Sequence, residues 1–383
     1  MGLFCFATIC SHQLLCYVLT LFHQLLLMME LTDTYFKGRG SQLNTHNKFN
    51  RHQYVQEYKE VLDEEFLVNH KTEIIYTHPK TIINKVDSPD IPGEYSVNPY
   101  QGCEHGCVYC YARNTHEYWG YSAGLDFEQK IIVKQNAVEV LEKQFSSKKW
   151  KPSAIMLSGN TDCYQPIEKE LEITRRILQT CLKFKHPVGI ITKNALVLRD
   201  LDILSELAKH NLVSVMISIT GTDESIRQKL EPRTSTYKNR FKALAALSAH
   251  NIPCGVMIAP IIPGINNHCI PEVMELASKA GAKFAGYTMV RLNGAIGPVL
   301  KDWLIKNFPD RADKVWNQIC EAHDGDVKDS RFGVRMRGQG HMAESVRQLF
   351  RLSKLRFMKE ELKFEFNTSA FNYKAGDIQM SLF

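Results

Sequence analysis

Ala154-Ile-Met-Leu-Ser-Gly-Asn-Thr-Asp-Cys-Tyr-Gln-Pro-Ile-Glu168 opens on a short apolar run and breaks into a polar, Gly-containing turn. It leads into a stretch where Leu171, Thr174, Ile177, Leu178, Cys181 and Leu182 recur at helical spacing. That is a strand feeding a helix. The same kind of run returns at Val188 to Thr192, Val213 to Ile219, Gly255 to Ala259 and Phe284 to Val290. Further helical faces fall at Phe241, Leu244, Ala245 and Ser248, and at Val273, Leu276, Ala277 and Ala280, a helix that Pro271 opens and Gly281 closes. Alternation of this kind implies parallel βαβ units, and runs apolar on both faces imply a sheet covered on both sides. The expected fold is α/β, a partial (open) β/α barrel of the TIM type, with its chemistry at the carboxyl ends of the strands.

Composition agrees with a packed core. The chain has 383 residues, 44% hydrophobic and 23% charged, with 22 Gly and 14 Pro and no repeat of fixed period, which excludes solenoids, propellers and low-complexity chains. Eleven cysteines in a chain this long do not make a small disulfide scaffold, so metal or redox chemistry moves ahead of cross-linking. The net charge of +6 is local: Arg331 to Lys359 holds eight Lys or Arg against Glu344 alone. A basic surface there suggests a polyanionic partner, nucleic acid first.

The chain divides into four segments: an apolar extension (1–29), a polar arm (30–92), the core barrel (93–298) and a C-terminal extension (299–383). Residues 1–29 carry no charge, yet His12, Gln13, His23 and Gln24 interrupt them and no basic residue or cleavage site flanks them. Phe6 excludes a myristoylation signal. The expectation is an upstream start site, with Met28 or Met29 the natural one, and a cytoplasmic protein; a membrane anchor is the alternative. In the arm, Lys37-Gly-Arg-Gly-Ser and Asn44 to Arg51 read as extended chain, either a flexible leader or a nucleic-acid contact.

Tyr100-Gln-Gly-Cys-Glu-His-Gly-Cys-Val-Tyr-Cys110 places Cys103, Cys107 and Cys110 at C-x-x-x-C-x-x-C spacing, where thiolates can converge on one metal centre while Gly102 and Gly106 let the backbone wrap it. Zinc needs a fourth ligand, for which His105 or His116 would serve, and no second C-x-x-C exists. Three cysteines suit a four-iron cluster better, each holding one iron and leaving the fourth iron open.

The stretch resembles the radical S-adenosylmethionine (radical SAM) superfamily, whose hallmark is this spacing with an aromatic, here Tyr109, before the last cysteine. The resemblance implies a 4Fe-4S cluster on Cys103, Cys107 and Cys110, with S-adenosyl-L-methionine chelated by the open iron and cleaved to a 5′-deoxyadenosyl radical. Ser158–Glu168, Ile191-Thr-Lys-Asn194, Ser218-Ile-Thr220, Leu230-Glu-Pro-Arg233 and Ala259-Pro-Ile-Ile-Pro-Gly264 are similar to the spore photoproduct lyase-related branch. By position, Ser158, Gly159 and Asn160 would meet the methionine amino group, where many relatives carry Gly-Gly-Glu; the acid is absent here. Lys193, Ser218 and Arg233 would meet the carboxylate and ribose, although Ser218 also suits a strand cap and Arg233 a pair with Glu231. Cys163 is a candidate hydrogen-atom donor, against a buried structural cysteine.

Tyr111-Ala-Arg-Asn-Thr-His-Glu-Tyr-Trp-Gly-Tyr121 suits either a base-stacking loop or a lid over the cluster. Arg347, Arg351 and Lys354 lie on one face of a helix whose other face is Met342, Val346, Leu349, Phe350 and Phe357, a pattern that suits phosphate contact or a solvated face. Gln379-Met380-Ser381-Leu382-Phe383 resembles the short peptide by which bacterial repair proteins bind the sliding clamp. The expected activity is radical SAM repair of damaged DNA, a thymine-type lesion first, fed by an electron donor such as flavodoxin or ferredoxin. The alternatives are radical SAM modification of RNA or protein, or a zinc-stabilised DNA-binding or clamp adaptor without catalysis.

Overall fold

The computed structural model describes residues 36–49, 71–91, 93–359 and 361–376. The expectations for residues 1–29 and for Gln379–Phe383 lie outside them. Two compact units divide the chain, Met1–Lys37 and Gly38–Phe383, and every described strand and helix belongs to the second.

Its strands are β1 (Glu73–Thr77), β2 (Ile83–Lys85), β3 (Tyr95–Val97), β4 (Tyr100–Gln101), β5 (Lys130–Lys134), β6 (Ile155–Leu157), β7 (Val188–Thr192), β8 (Val213–Ser218), β9 (Cys254–Ile261) and β10 (Phe284–Met289). Among the described residues, seven of them form one sheet in the order β10-β9-β8-β7-β6-β3-β2, parallel except for β2 against β3. Its edges do not meet, so the barrel is open. A second sheet, β1-β5-β4, takes β1 from the stretch read as arm, β4 from the start of the cysteine stretch and β5 from beyond it.

Helices α1 (Ala137–Phe145), α2 (Ile173–Phe184), α3 (Leu201–Ala208), α4 (Tyr237–Ala249) and α5 (Ile270–Lys279) cover the sheet. On α2 the buried residues include Thr174, Ile177, Leu178 and Cys181, as the periodicity predicts. On α4 the buried face is Tyr237, Arg240, Ala243, Leu244 and Leu247, with Ala245 exposed. The expected face is displaced there because Arg240 goes inward to pair with buried Glu231 at 2.5 Å.

The opposite face of the sheet is lined by methionines over glycines. A Cβ on Gly189 would lie 2.5 Å from Met156 Sδ, and one on Gly286 3.1 Å from Met257 Cε. Helix α6 (Ile296–Asn307) runs across the expected 298/299 boundary, followed by α7 (Ala312–Glu321) and α8 (Gly340–Phe357). The segment beyond α8 crosses the amino ends of three strands. Leu362 N donates to Lys283 O (3.0 Å), Asn367 N to Asn211 O (3.0 Å) and Asn372 N to Phe184 O (2.9 Å). On α8, Val346 and Phe350 are buried, while Arg347 pairs with Glu344 and Lys354 with Glu361, so only Arg351 of the three basic residues has no acid beside it among the described residues. Among the described residues no helix is long and apolar enough to cross a membrane.

Candidate active site

After β4 the chain turns at Gly102 (φ +76) and again at Gly106 (φ +68), a backbone region that a side chain strains. A Cβ on Gly102 would lie 2.7 Å from Lys130 O. Backbone bonds hold the loop from both sides: Cys103 N donates to Phe127 O (2.8 Å) and Val108 N to Leu230 O (3.2 Å). Beneath it the fully buried Arg113 donates to Cys107 O through Nε (3.0 Å) and Nη2 (2.9 Å) and pairs with buried Glu128 at 2.5 Å.

Cys103 and Cys107 are buried, Cys110 is half-buried, and none is in a disulfide. Burial pushes all three thiols up, Cys107 to about 12, and Asp162 and the neighbouring thiols push Cys103 further. Thiols so placed stay protonated unless a cationic centre pairs with them. Among the described residues no three His, Cys, Asp or Glu side chains converge on one ion. Zinc requires that convergence, with ligands about 2.0–2.3 Å from one point. A four-iron cluster does not, because each thiolate takes its own iron. Of the two candidate zinc histidines, His105 is engaged, 3.4 Å from Asp162 and 3.3 Å from Asn194. His116 is packed between the Tyr121 and Phe127 rings at 5.3 and 5.6 Å, with neither ring nitrogen hydrogen-bonded among the described residues.

The carboxyl ends of the strands bring most of the expected residues to this loop. Lys193, just beyond β7, lies with its amine 5.7 Å from the Tyr109 ring centre and faces the Cys107 and Cys110 thiols. Its burial would lower it, but Cys107 and Glu231 outweigh that and hold it above the ordinary lysine value. Tyr109 donates to Glu231, which also accepts from Thr220 (3.0 Å) and Arg240. Burial would raise Glu231, and Arg240 and Lys193 outweigh it. Ser218 is buried at the end of β8, where its carbonyl accepts from Arg240 (2.9 Å).

Ser158 has φ +71 and its Oγ accepts from Cys163 N (2.8 Å); the Gly159 carbonyl accepts from the Tyr111 hydroxyl (2.5 Å); Asn160 N donates to Asn98 (2.8 Å). Arg233 pairs with Glu104 at 3.3 Å, and not with Glu231, whose carboxylate Arg240 already holds. Cys163 is 0% exposed and part of the main core, its carbonyl held by Thr174 (2.7 Å). It therefore occupies the place of a buried core cysteine.

Two features carry no signal in the sequence. Asp162 accepts from Thr192 Oγ1 (2.7 Å) and Lys193 N (2.8 Å); burial would raise it, but His105 and these donors outweigh that and hold it down to about 2. The polar arm is not loose where it is described: Arg39, Gly40, Ser41, Gln42 and Asn47 are buried against the cysteine loop and the segment after it. That segment is a 3-10 helix, Tyr111–Trp119, with a buried and an exposed face. Ala112, Arg113, His116 and Glu117 are buried beneath, while Tyr111, Tyr118 and Trp119 are exposed, with Phe49 of the arm 4.9 Å from the Tyr118 ring.

The sequence profile of the radical SAM superfamily matches residues 97–277. An uncharacterized protein of Mycobacterium bovis is 31% identical over 234 residues, 60% of this chain and 69% of its own length. One of Methanocaldococcus jannaschii is 30% identical over 254 residues, 66% of this chain and 90% of its own. Among solved structures, a spore photoproduct lyase variant with bound AdoMet and dinucleoside spore photoproduct superposes with a TM-score of 0.57 at 16% identity, over 77% of this chain and 82% of that one. Likeness at that identity speaks to the fold.

Proposed function

The chain belongs to the radical SAM superfamily, whose cofactors are a 4Fe-4S cluster and S-adenosylmethionine, and on that basis we propose that it repairs damaged DNA in the manner of a photoproduct lyase. Cys103, Cys107 and Cys110 hold the cluster in this reading. When bound, the cluster supplies the electron that cleaves S-adenosylmethionine to methionine and a 5′-deoxyadenosyl radical. Ser158, Gly159 and Asn160 receive the methionine amino group, the last two with exposed or half-buried polar groups at the end of β6. Lys193, Ser218 and Arg233 receive the carboxylate and ribose, with Lys193 held in place by the bond from its amide to Asp162. Tyr109, Glu231 and Arg240 form a dry floor that keeps water from the reacting atoms.

The observation that carries the substrate class is the outward face of the 3-10 helix. Tyr111, Tyr118 and Trp119 are 51%, 73% and 41% exposed directly after the last cluster cysteine, and exposed rings beside a reaction centre suit stacking on an unpaired base. The solved spore photoproduct lyase complex with a dinucleoside lesion, which shares the fold, supports the same class. Helix α8 would add phosphate contact, chiefly through Arg351. The tail Gln379–Phe383 would hold the sliding clamp, which a pull-down with and without those five residues tests. The test of the substrate is an anaerobic assay of the reconstituted full chain on DNA bearing thymine photoproducts. Loss of the lesion with restoration of thymine is the expected result; lesion unchanged, with turnover instead on RNA or a protein, replaces the substrate.

A further inference from the structure

Residues 39–47 meet the cysteine loop in a way that goes beyond covering it. Arg39 Nη1 donates to Glu128 O (2.6 Å), and the amides of Gly40 and Ser41 donate to the two Glu128 carboxylate oxygens (3.0 and 2.7 Å). Leu125 N donates to Leu43 O (3.1 Å), Thr45 N to Ser122 Oγ (2.7 Å), and Asn47 Nδ2 to the carbonyls of Glu117 (2.9 Å) and Tyr121 (3.1 Å). The approach is closest at the loop itself. A Cβ on Gly40 would lie 1.6 Å from Gly106 O, and one on Gly124 2.0 Å from Leu43 O, so no other residue permits either approach.

Glu128 is the joint of this assembly. Its carboxylate takes both arm amides on one side and Arg113 on the other, and Arg113 in turn grips the Cys107 carbonyl. A second line runs from Arg39 through Thr72 (3.4 Å) to Glu104 (2.9 Å), the carboxylate that pairs with Arg233. A glycine-rich loop carrying three thiols would otherwise meet water on its outer side, between Cys103 and Cys107, where Gly106 has no side chain to cover it.

We propose that residues 39–47 are a clasp built into the cluster site, which presses Gly40 onto Gly106 and, through Glu128 and Arg113, holds the cysteine loop in shape while keeping water and dioxygen from the cluster. The proposal rests on the assignment of the cluster to Cys103, Cys107 and Cys110. Solvent access is one of the quantities that set a cluster's reduction potential, so a loosened clasp is visible in the cluster and not only in turnover. Loosening it also leaves stability elsewhere in the barrel intact, since a local opening involves only the segment that detaches.

The test uses the full chain, reconstituted anaerobically, with Gly40→Ala and the milder Asn47→Ala, whose site is on the lid and away from the thiols. Bleaching of the visible absorbance in air and the cluster's midpoint potential are measured beside the melting temperature. The clasp predicts bleaching roughly tenfold faster in Gly40→Ala and roughly threefold faster in Asn47→Ala, with the potential moved positive in both. Should Gly40→Ala not fold, Asn47→Ala decides alone. Bleaching and potential equal to those of the unaltered chain overturn the clasp, even where the melting temperature falls. An unaltered chain that takes up no iron overturns the cluster assignment instead.

Discussion

Arg240 shows why some of this site is hidden from a linear reading. It lies on the inward face of α4 among Ala243, Leu244 and Leu247, where an apolar residue is expected, and it is there because Glu231, nine positions back in a loop, is buried with it. A charge read alone goes to the surface; a charge with a buried partner does not. Replacing Arg240 by Met leaves Glu231 buried without its counter-ion, at a cost of about 3–5 kcal/mol in urea unfolding, and Glu231→Gln in the same chain is expected to recover much of that. Full stability in Arg240→Met alone would contradict the pairing. Cys163 makes the opposite case: its position beyond a strand end invites a catalytic reading, and folding packs it within the core. Cys163→Ala is expected to keep lesion turnover and product unchanged while losing roughly 1–2 kcal/mol of stability; lost turnover or an altered product at unchanged cluster content would restore it to the chemistry.

At the level of elements, the strands that alternate with helices are legible in the sequence, while β5, apolar on both faces but set between the cysteine stretch and α1, and the shortest strands escape it. The runs at Val188, Val213, Gly255 and Phe284 appear within a few residues of their expected limits as β7 to β10. Strand β3 does not, being three residues of Tyr95-Ser-Val97 set among Asn and Pro. The arm reads as a linker because Gly, Arg and Ser are linker residues. Its structure comes from backbone amides bonded to Glu128, 87 and 88 positions away, which leaves no periodicity to detect. Lys134, closing β5, is buried enough to be lowered to about 8. Its folded value lies below the ordinary lysine value of 10.5, so the unfolded chain holds the proton more tightly and stability rises as pH climbs from about 8 to 10. Lys134→Met is expected to flatten that rise in thermal melts across this range; an unchanged slope would show the amine to be solvated. On the 3-10 helix, Tyr118→Ala with Trp119→Ala should weaken binding of single-stranded DNA by about 1–3 kcal/mol per stacked base, measured by fluorescence anisotropy, while iron content stays constant. Equal affinity would remove the stacking face.

Across the whole molecule, one end of an open barrel collects the chemistry and the other is strapped by the segment after α8. The cysteine loop, β6 to β8 and the arm each deliver polar groups to the same end, and the arrangement follows from parallel strands, whose carboxyl ends all point one way. The three cysteines are legible in the sequence because their spacing is a local signal; Asp162, Glu231 and the clasp are not, because each acts through partners brought near only by folding. Catalysis, substrate and clasp alike depend on Cys103, Cys107 and Cys110 holding a cluster that cleaves S-adenosylmethionine. The direct measurement is 5′-deoxyadenosine released by the anaerobically reconstituted, reduced chain, with iron counted in the same sample and Cys107→Ser alongside. About four irons per chain and nucleoside release are expected in the unaltered protein, with both lost in the variant. A colourless chain that loads zinc and releases no nucleoside, or a Cys107→Ser variant that keeps cluster and release, would contradict the assignment.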